Sequence, residues 1–179
     1  MEIVRKLTEG IEPLGSFLGK GRNSIPAQSG VYAFWWLGDK KKLFASRRDI
    51  WLKGPAGSEV KLKFKDWFPP EAPHPALYVG KSTNLKNRIS LHILIGKTDK
   101  LYPASERHHK VKPVTTSCQL RTGIEHIFPK EKDPSGLILK EVGVSFVFPA
   151  GDDAVAERFY LEDLAVGFFR PWFNLDSER

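Results

Sequence analysis

Residues 31–37 read Val-Tyr-Ala-Phe-Trp-Trp-Leu, seven apolar positions rich in aromatic and β-branched side chains, fenced by Ser29-Gly30 and Gly38-Asp39. That composition between two turn signals reads as a buried strand, so the fold is organised around a sheet. Ala76-Leu77-Tyr78-Val79 reads as a second short core strand, and 141–148 alternates as a third. Val60, Leu62 and Phe64 alternate with Lys61, Lys63 and Lys65, which suits a half-exposed strand with a cationic face.

Helical spacing appears between these segments. Ile3, Leu7 and Ile11 stand at four-residue steps, predicting a short amphipathic helix over 2–12, broken by Gly15, Gly19 and Gly21. Thr83 or Asn84 can cap a helix running to about Ile95, with Leu85, Ile89 and Ile93 on its apolar side. Residues 117–128 place Leu120, Ile124, Ile127 and Phe128 together. Asp152 or Asp153 can cap a last helix to about Phe169, its apolar residues being Val155, Phe159, Leu161, Leu164, Ala165 and Phe168, and Pro171 stops it. Pro69, Pro70, Pro73 and Pro75 make a stiff connector, and 97–113, with His108 and His109, reads as polar loop. The expectation is an α+β fold with a small central, mostly antiparallel three-stranded sheet flanked by helices, all 179 residues forming one domain.

Charge narrows the partners. Lys plus Arg number 28 against 21 Asp plus Glu, and the surplus is front-loaded. Residues 1–65 carry net +7, residues 66–149 net +4, and residues 150–179 net −4. A basic surface favours a polyanion through counterion release, although many basic domains bind no nucleic acid. The single Cys118 excludes a disulfide framework and any cysteine-rich zinc site. No apolar stretch approaches a membrane span, and the first residues lack the apolar core of a signal peptide, so a soluble, cytoplasmic protein is expected.

Gly80-Lys81-Ser82 follows a strand and precedes a helix, like the end of a phosphate-binding P-loop. That motif needs a glycine at position 75, which is Pro75. The segment fits a different pattern. Gly30-Val31-Tyr32 on one strand and Tyr78-Val79-Gly80 on another are followed by Arg88, ten positions after Tyr78, and by His92, four further on. Far downstream come Glu162 on a helix and Pro171-Trp172-Phe173-Asn174. In this order and spacing, about half the chain in four islands resembles the GIY-YIG nuclease family.

Physical chemistry gives these residues compatible tasks. Arg88 and His92, four apart, project from one helix face. A guanidinium offers a phosphate two parallel charged hydrogen bonds. Glu162 can bring one hard oxygen ligand to Mg²⁺, which often takes only one or two carboxylates. The resemblance implies that Glu162 holds a single divalent ion (Mg²⁺ or Mn²⁺) and that Arg88 stabilises the charged transition state. Tyr32 or Tyr78, helped by Lys81 or His92, relays the nucleophile's proton, and Asn174 positions the turn. No small-molecule cofactor is implied. Singly, each residue has an ordinary role: a strand tyrosine packs, a helix Arg or Glu is solvated, and Glu157 or Asp163 competes with Glu162. The ordered set sets them apart.

One departure is large. Tyr32 and Tyr78 stand 46 positions apart, so residues 38–75 are an insertion between two paired core strands, after an N-terminal extension over 1–28. The insertion carries Lys40, Lys41, Lys42, Arg47, Arg48, Lys53, Lys61, Lys63 and Lys65, with Trp51 and Trp67 among them. Together with Lys86 these are candidate DNA-backbone contacts, or else a solubilising decoration with its tryptophans packed on the core. A lengthened first gap also occurs in restriction enzymes resembling this family. The expectation is therefore a metal-dependent DNA endonuclease, restriction-type, with a possible homodimer to cut both strands. The alternatives are an inactive nucleic-acid-binding module on the same scaffold and a basic scaffold protein with no nucleic-acid role.

Overall fold

A computed structural model describes residues 2–20, 25–53, 58–93, 119–150 and 154–175. Strand β2 (Gly30–Trp36) is buried along its whole length, as its unbroken apolar run demands. It has neighbours on both sides: β5 (Ala76–Ser82) and β6 (Val142–Val147), each antiparallel to it. The expected three strands are joined by a fourth, the two-residue β1 (Glu12–Pro13), which pairs with β6 and completes the order β1-β6-β2-β5. Within the insertion, β3 (Asp49–Lys53) and β4 (Glu59–Lys63) form a separate two-stranded antiparallel ladder. The protein is α+β with antiparallel sheets.

Helices cover both sheet faces. On one lie α2 (Leu14–Gly19), α4 (Leu85–Ile93), α5 (Gln119–Ile127) and α6 (Pro134–Glu141), enclosing Tyr32, Phe34, Trp36, Leu85, Ile89, Leu120 and Ile124. On the other lie α1 (Glu2–Arg5) and the long α7 (Ala154–Phe169), which bury Val31, Ala33, Trp35 and Val79 under Leu161, Ala165 and Phe169. Trp35 meets the Phe169 ring at 4.9 Å, and Lys81, paired in register with Val31, meets Glu162. These two contacts align α7 with the direction of β2.

Several expectations change. The helix over 2–12 stops early: α1 passes into a 3₁₀ turn ending at Thr8, and Gly10 takes a left-handed φ of 61° that carries the chain into β1. Gly15 and Gly19 lie inside α2, so they do not break that segment. Strand β6 does not alternate, because helices cover both its faces. Helix α6 was not expected, though Asp133 accepts from the Gly136 N–H and Pro134 opens the helix. On α7, Val155, Phe159 and Leu164 are exposed, and Arg158, Leu161, Ala165 and Phe169 form the buried stripe. The far end of the helix expected to reach Ile95, the 97–113 loop and the caps Asp152 and Asp153 lie outside the described residues. Among the described residues, no helix is long and apolar enough to cross a membrane.

The insertion is docked on the core. Phe64 stacks on Trp172 at 5.2 Å, Phe44 and Phe68 pack beside them, and the Trp172 indole donates to the Lys65 carbonyl at 2.7 Å. A short helix α3 (Lys40–Phe44), capped by the Asp39 carboxylate, starts the excursion.

Candidate active site

The register of β2 and β5 builds the site. Tyr32 stands opposite Gly80, and Phe34 opposite Tyr78. Side chains two apart on a strand share a face, so Tyr32, Phe34, Tyr78 and the bare Cα of Gly80 all turn toward α4. A Cβ at Gly80 would stand 2.7 Å from the Tyr32 hydroxyl oxygen and 2.8 Å from a Tyr78 ring carbon. Glycine is what lets the two phenols converge.

Helix α4 supplies the rest. The Asn84 side chain accepts from the Asn87 N–H at 3.0 Å and caps its start, while Leu85 and Ile89 anchor it in the core. Arg88 and His92, one turn apart, then face the phenols. Arg88 Nε donates to the Tyr32 oxygen at 3.2 Å, and that oxygen lies 2.8 Å from His92 Nε2. The Tyr78 ring lies 6.0 Å from the Tyr32 ring and 5.3 Å from the His92 ring, and the Arg88 charge acts on both phenols. The Phe34 ring closes the far side, 5.2 Å from the imidazole. A hydrogen-bonded chain therefore runs from His92 through Tyr32 to Arg88, with the Tyr78 ring packed beside it.

Burial dominates the electrostatics. It pushes the Tyr32 phenol well above its usual range, helped by Tyr78, and the attraction of Arg88 does not overcome it. Tyr78 is also raised, by burial first, against the pull of Arg88; the Glu162 charge adds to the rise. Burial and then Arg88 push His92 down to about 3, so the imidazole is neutral at ordinary pH. Its Nδ1 has no hydrogen-bond partner among the described residues. Burial opposes the Arg88 charge, yet Tyr32 and Tyr78 together outweigh that and raise its pKa.

Glu162 and Lys81 lie around the strand edge. Lys81 is three positions from Tyr78 and so points to the opposite face, where its ammonium pairs with the Glu162 carboxylate and sits 4.4 Å over the Phe159 ring. Of the three acids on this helix, Glu157 and Asp163 are exposed and Glu162 is the one held against the sheet. Because β5 is an edge strand, Glu162 still acts electrostatically on Tyr78. Asn174 closes that edge: its Oδ1 accepts from the Val79 N–H at 2.9 Å and its Nδ2 donates to the Val79 carbonyl at 2.8 Å. It occupies the place of a further strand between Tyr78 and Gly80.

Of the sequence-predicted set, Tyr32, Tyr78, Arg88 and His92 thus meet directly. Lys81 and Glu162 form a neighbouring pair, and Asn174 fixes the strand joining them. One carboxylate with water-accessible oxygen suits a hard cation that keeps most of its waters. Among the described residues, no three His, Cys, Asp or Glu side chains cluster to hold a metal by themselves.

Lys42 covers the Trp36 and Phe128 rings at 5.8 and 5.6 Å and lines, with Arg47 and Lys130, an open groove of about 420 Å³. Lys40 and Lys41 are exposed on α3, and Lys86 is half-buried on α4. Arg48 pairs with Asp66 at 3.3 Å. Lys61 and Lys63 stand on the outer face of the hairpin beside the exposed Trp51, and Lys65 is exposed beyond it. Gly80 belongs to the Tyr78-Val79-Gly80 motif, but its steric role between the two phenols is visible only in the fold; Phe34, Lys130 and Arg158 carry no motif. Arg158 left a signal, since it falls in phase with Leu161, Ala165 and Phe169 on the buried stripe.

Comparison of the chain with protein-family models, with curated proteins and with solved structures finds no match.

Proposed function

We propose that this chain is a metal-dependent DNA endonuclease of restriction type that hydrolyses phosphodiester bonds on a GIY-YIG-like scaffold. The observation that supports it most is the Arg88 guanidinium, held by the Tyr32 hydroxyl beside Tyr78 and a buried neutral imidazole, with the Glu162 carboxylate acting on Tyr78 from the other face of β5.

Each residue has a task in that chemistry. Arg88, kept charged beside the two phenols, meets the negative charge that grows on the phosphoryl oxygens. Tyr32 is fully buried, whereas Tyr78 keeps 6% of its surface open. Tyr78 is therefore the phenol that a bound phosphate reaches, with Tyr32 and His92 behind it. Tyr78 takes the proton of the attacking water as it passes its own to the departing alkoxide, while His92, held neutral by burial, hydrogen-bonds to Tyr32 and fixes that phenol behind it. Glu162 would hold Mg²⁺ or Mn²⁺, with Lys81 yielding part of its hold; such an ion supplies charge neutralisation at phosphoryl oxygens. Asn174 keeps β5 in place, and cutting both strands calls for a homodimer.

The Lys81–Glu162 ion pair favours a second reading, because it satisfies the carboxylate without any metal. That reading is a nucleic-acid-binding module without catalysis. Incubating the protein with supercoiled plasmid and mixed genomic DNA, with Mg²⁺ or with chelator, separates the two. Nicked or linear products only with Mg²⁺ support the nuclease. Salt-sensitive binding without cleavage of either DNA supports the module.

A further inference from the structure

Arg158 is 8% exposed, in the first half of α7, and its charge lies outside the site on the α4 face. Its Nε is buried without a hydrogen-bond partner among the described residues. Its recorded contact is with an aromatic face, the guanidinium carbon lying 5.9 Å from the Phe159 ring. A buried guanidinium without an anion is unfavourable, because desolvation is then not offset by any pairing. Such a group calls for an explanation in what it waits for.

Its surroundings suggest one. Glu162, one turn further along the same helix, is already paired with Lys81. Lys81 and Arg158 contact the same Phe159 ring, and Lys81 takes the Glu162 carboxylate, so among the described residues no ion pair reaches Arg158. Nε of the guanidinium is sealed from solvent, so the terminal nitrogens carry what access the residue has. Those two nitrogens form the fork that fits two oxygens of a phosphate. With α7 aligned to β2, Arg158 lies about 6 Å beyond Glu162, toward the Gly30 and Ser82 end of the strands.

We propose that Arg158 is an anion-binding residue, taking a nucleic-acid backbone phosphate on the Glu162 side of β5, opposite the phosphate that Arg88 faces. The proposal rests on the nucleic-acid reading above but not on cleavage. The substrate backbone would then be gripped on both sides of the strand edge, by Arg88 from α4 and by Arg158 from α7.

The test uses the full chain, with inorganic phosphate and a 20-bp duplex as probes. Phosphate should raise the Tm of the wild type. Arg158→Met should start from a higher Tm, since an unpaired buried charge is removed, and should lose the phosphate response. Its affinity for the duplex should fall about tenfold, and the slope of log K against log salt should flatten by about 0.9, the share of one phosphate contact. Arg158→Lys should keep the slope but weaken the phosphate response, because the charge stays and the fork is lost. A lower Tm in Arg158→Met with unchanged phosphate response and salt slope would make Arg158 a structural residue and overturn the proposal. If Arg158→Met does not fold, an unchanged phosphate response in Arg158→Lys overturns it equally. A chain that never nicks plasmid yet shows these Arg158 effects would refute the nuclease reading alone, and normal duplex binding in Arg158→Met would refute only this one.

Discussion

The two faces of the central sheet treat polar groups in opposite ways. On the α4 face, two phenols, a guanidinium and an imidazole are drawn into the core and bonded to one another, with Tyr32 and His92 at 0% and 1% exposure. On the α7 face, Glu162 and Lys81 stay at 16% and 28% exposure, joined mainly to each other. A buried network needs nearly every member satisfied, because low dielectric makes each unmade bond costly. An open ion pair can exchange its partner at little cost. The first arrangement fixes one charge, Arg88, among groups that cannot move independently. The second leaves a carboxylate that can exchange its partner. The strand edge of β5, clamped by Asn174, thus divides a rigid polar side from an adjustable one.

That contrast predicts a graded series. The largest effect should come from the rigid side: Arg88→Ala should slow plasmid nicking about 10²–10³-fold, by analogy with losing one oriented transition-state donor, while turnover equal to wild type would remove Arg88 from the chemistry. Next, acid should weaken the α4 face selectively. The folded pKa of His92, about 3, lies below its ordinary value of 6.5, so between those values the unfolded chain binds more protons than the folded one. Stability should be full above pH 6.5 and fall as the pH drops toward 3, by roughly 1.4 kcal/mol per unit. Urea midpoints against pH would show it, and His92→Gln should flatten the dependence. Gly80→Ala should destabilise by about 1–3 kcal/mol, because its methyl group presses on both phenols. The smallest loss, about 1–2 kcal/mol in chemical denaturation, should follow Asn174→Ala, which leaves one N–H and one carbonyl of the buried Val79 without their partner.

The sequence foretold best what local periodicity controls. Residues 30–36 were legible as a strand because sheet and helices bury both faces, leaving no polar interruption. Arg88 and His92 were legible as partners because four residues on a helix bring side chains onto one face. Strand β1 was not, since two residues ending in Pro13 carry no period at all. Nor could the apolar stripe of α7 be chosen correctly: apolar residues surround the helix, with Val155, Phe159, Tyr160 and Leu164 facing out. The hairpin of β3 and β4 was half seen, because Lys61 and Lys63 mark its outer face while Asp49–Lys53 is too short and mixed to announce itself. The separation of Lys81 from Tyr78 was available in principle. An odd spacing on one strand puts two side chains on opposite faces, and only the pairing of Lys81 with Glu162 depended on the tertiary fold.

The most direct test is to measure plasmid nicking and duplex binding together for the wild type and Glu162→Gln, each with Mg²⁺ and with chelator. Wild-type protein should nick only in the presence of the metal, and the variant should bind the duplex as tightly yet leave the plasmid supercoiled. Equal nicking by both proteins, or nicking that persists in chelator, would contradict a divalent-ion site on the α7 side of β5.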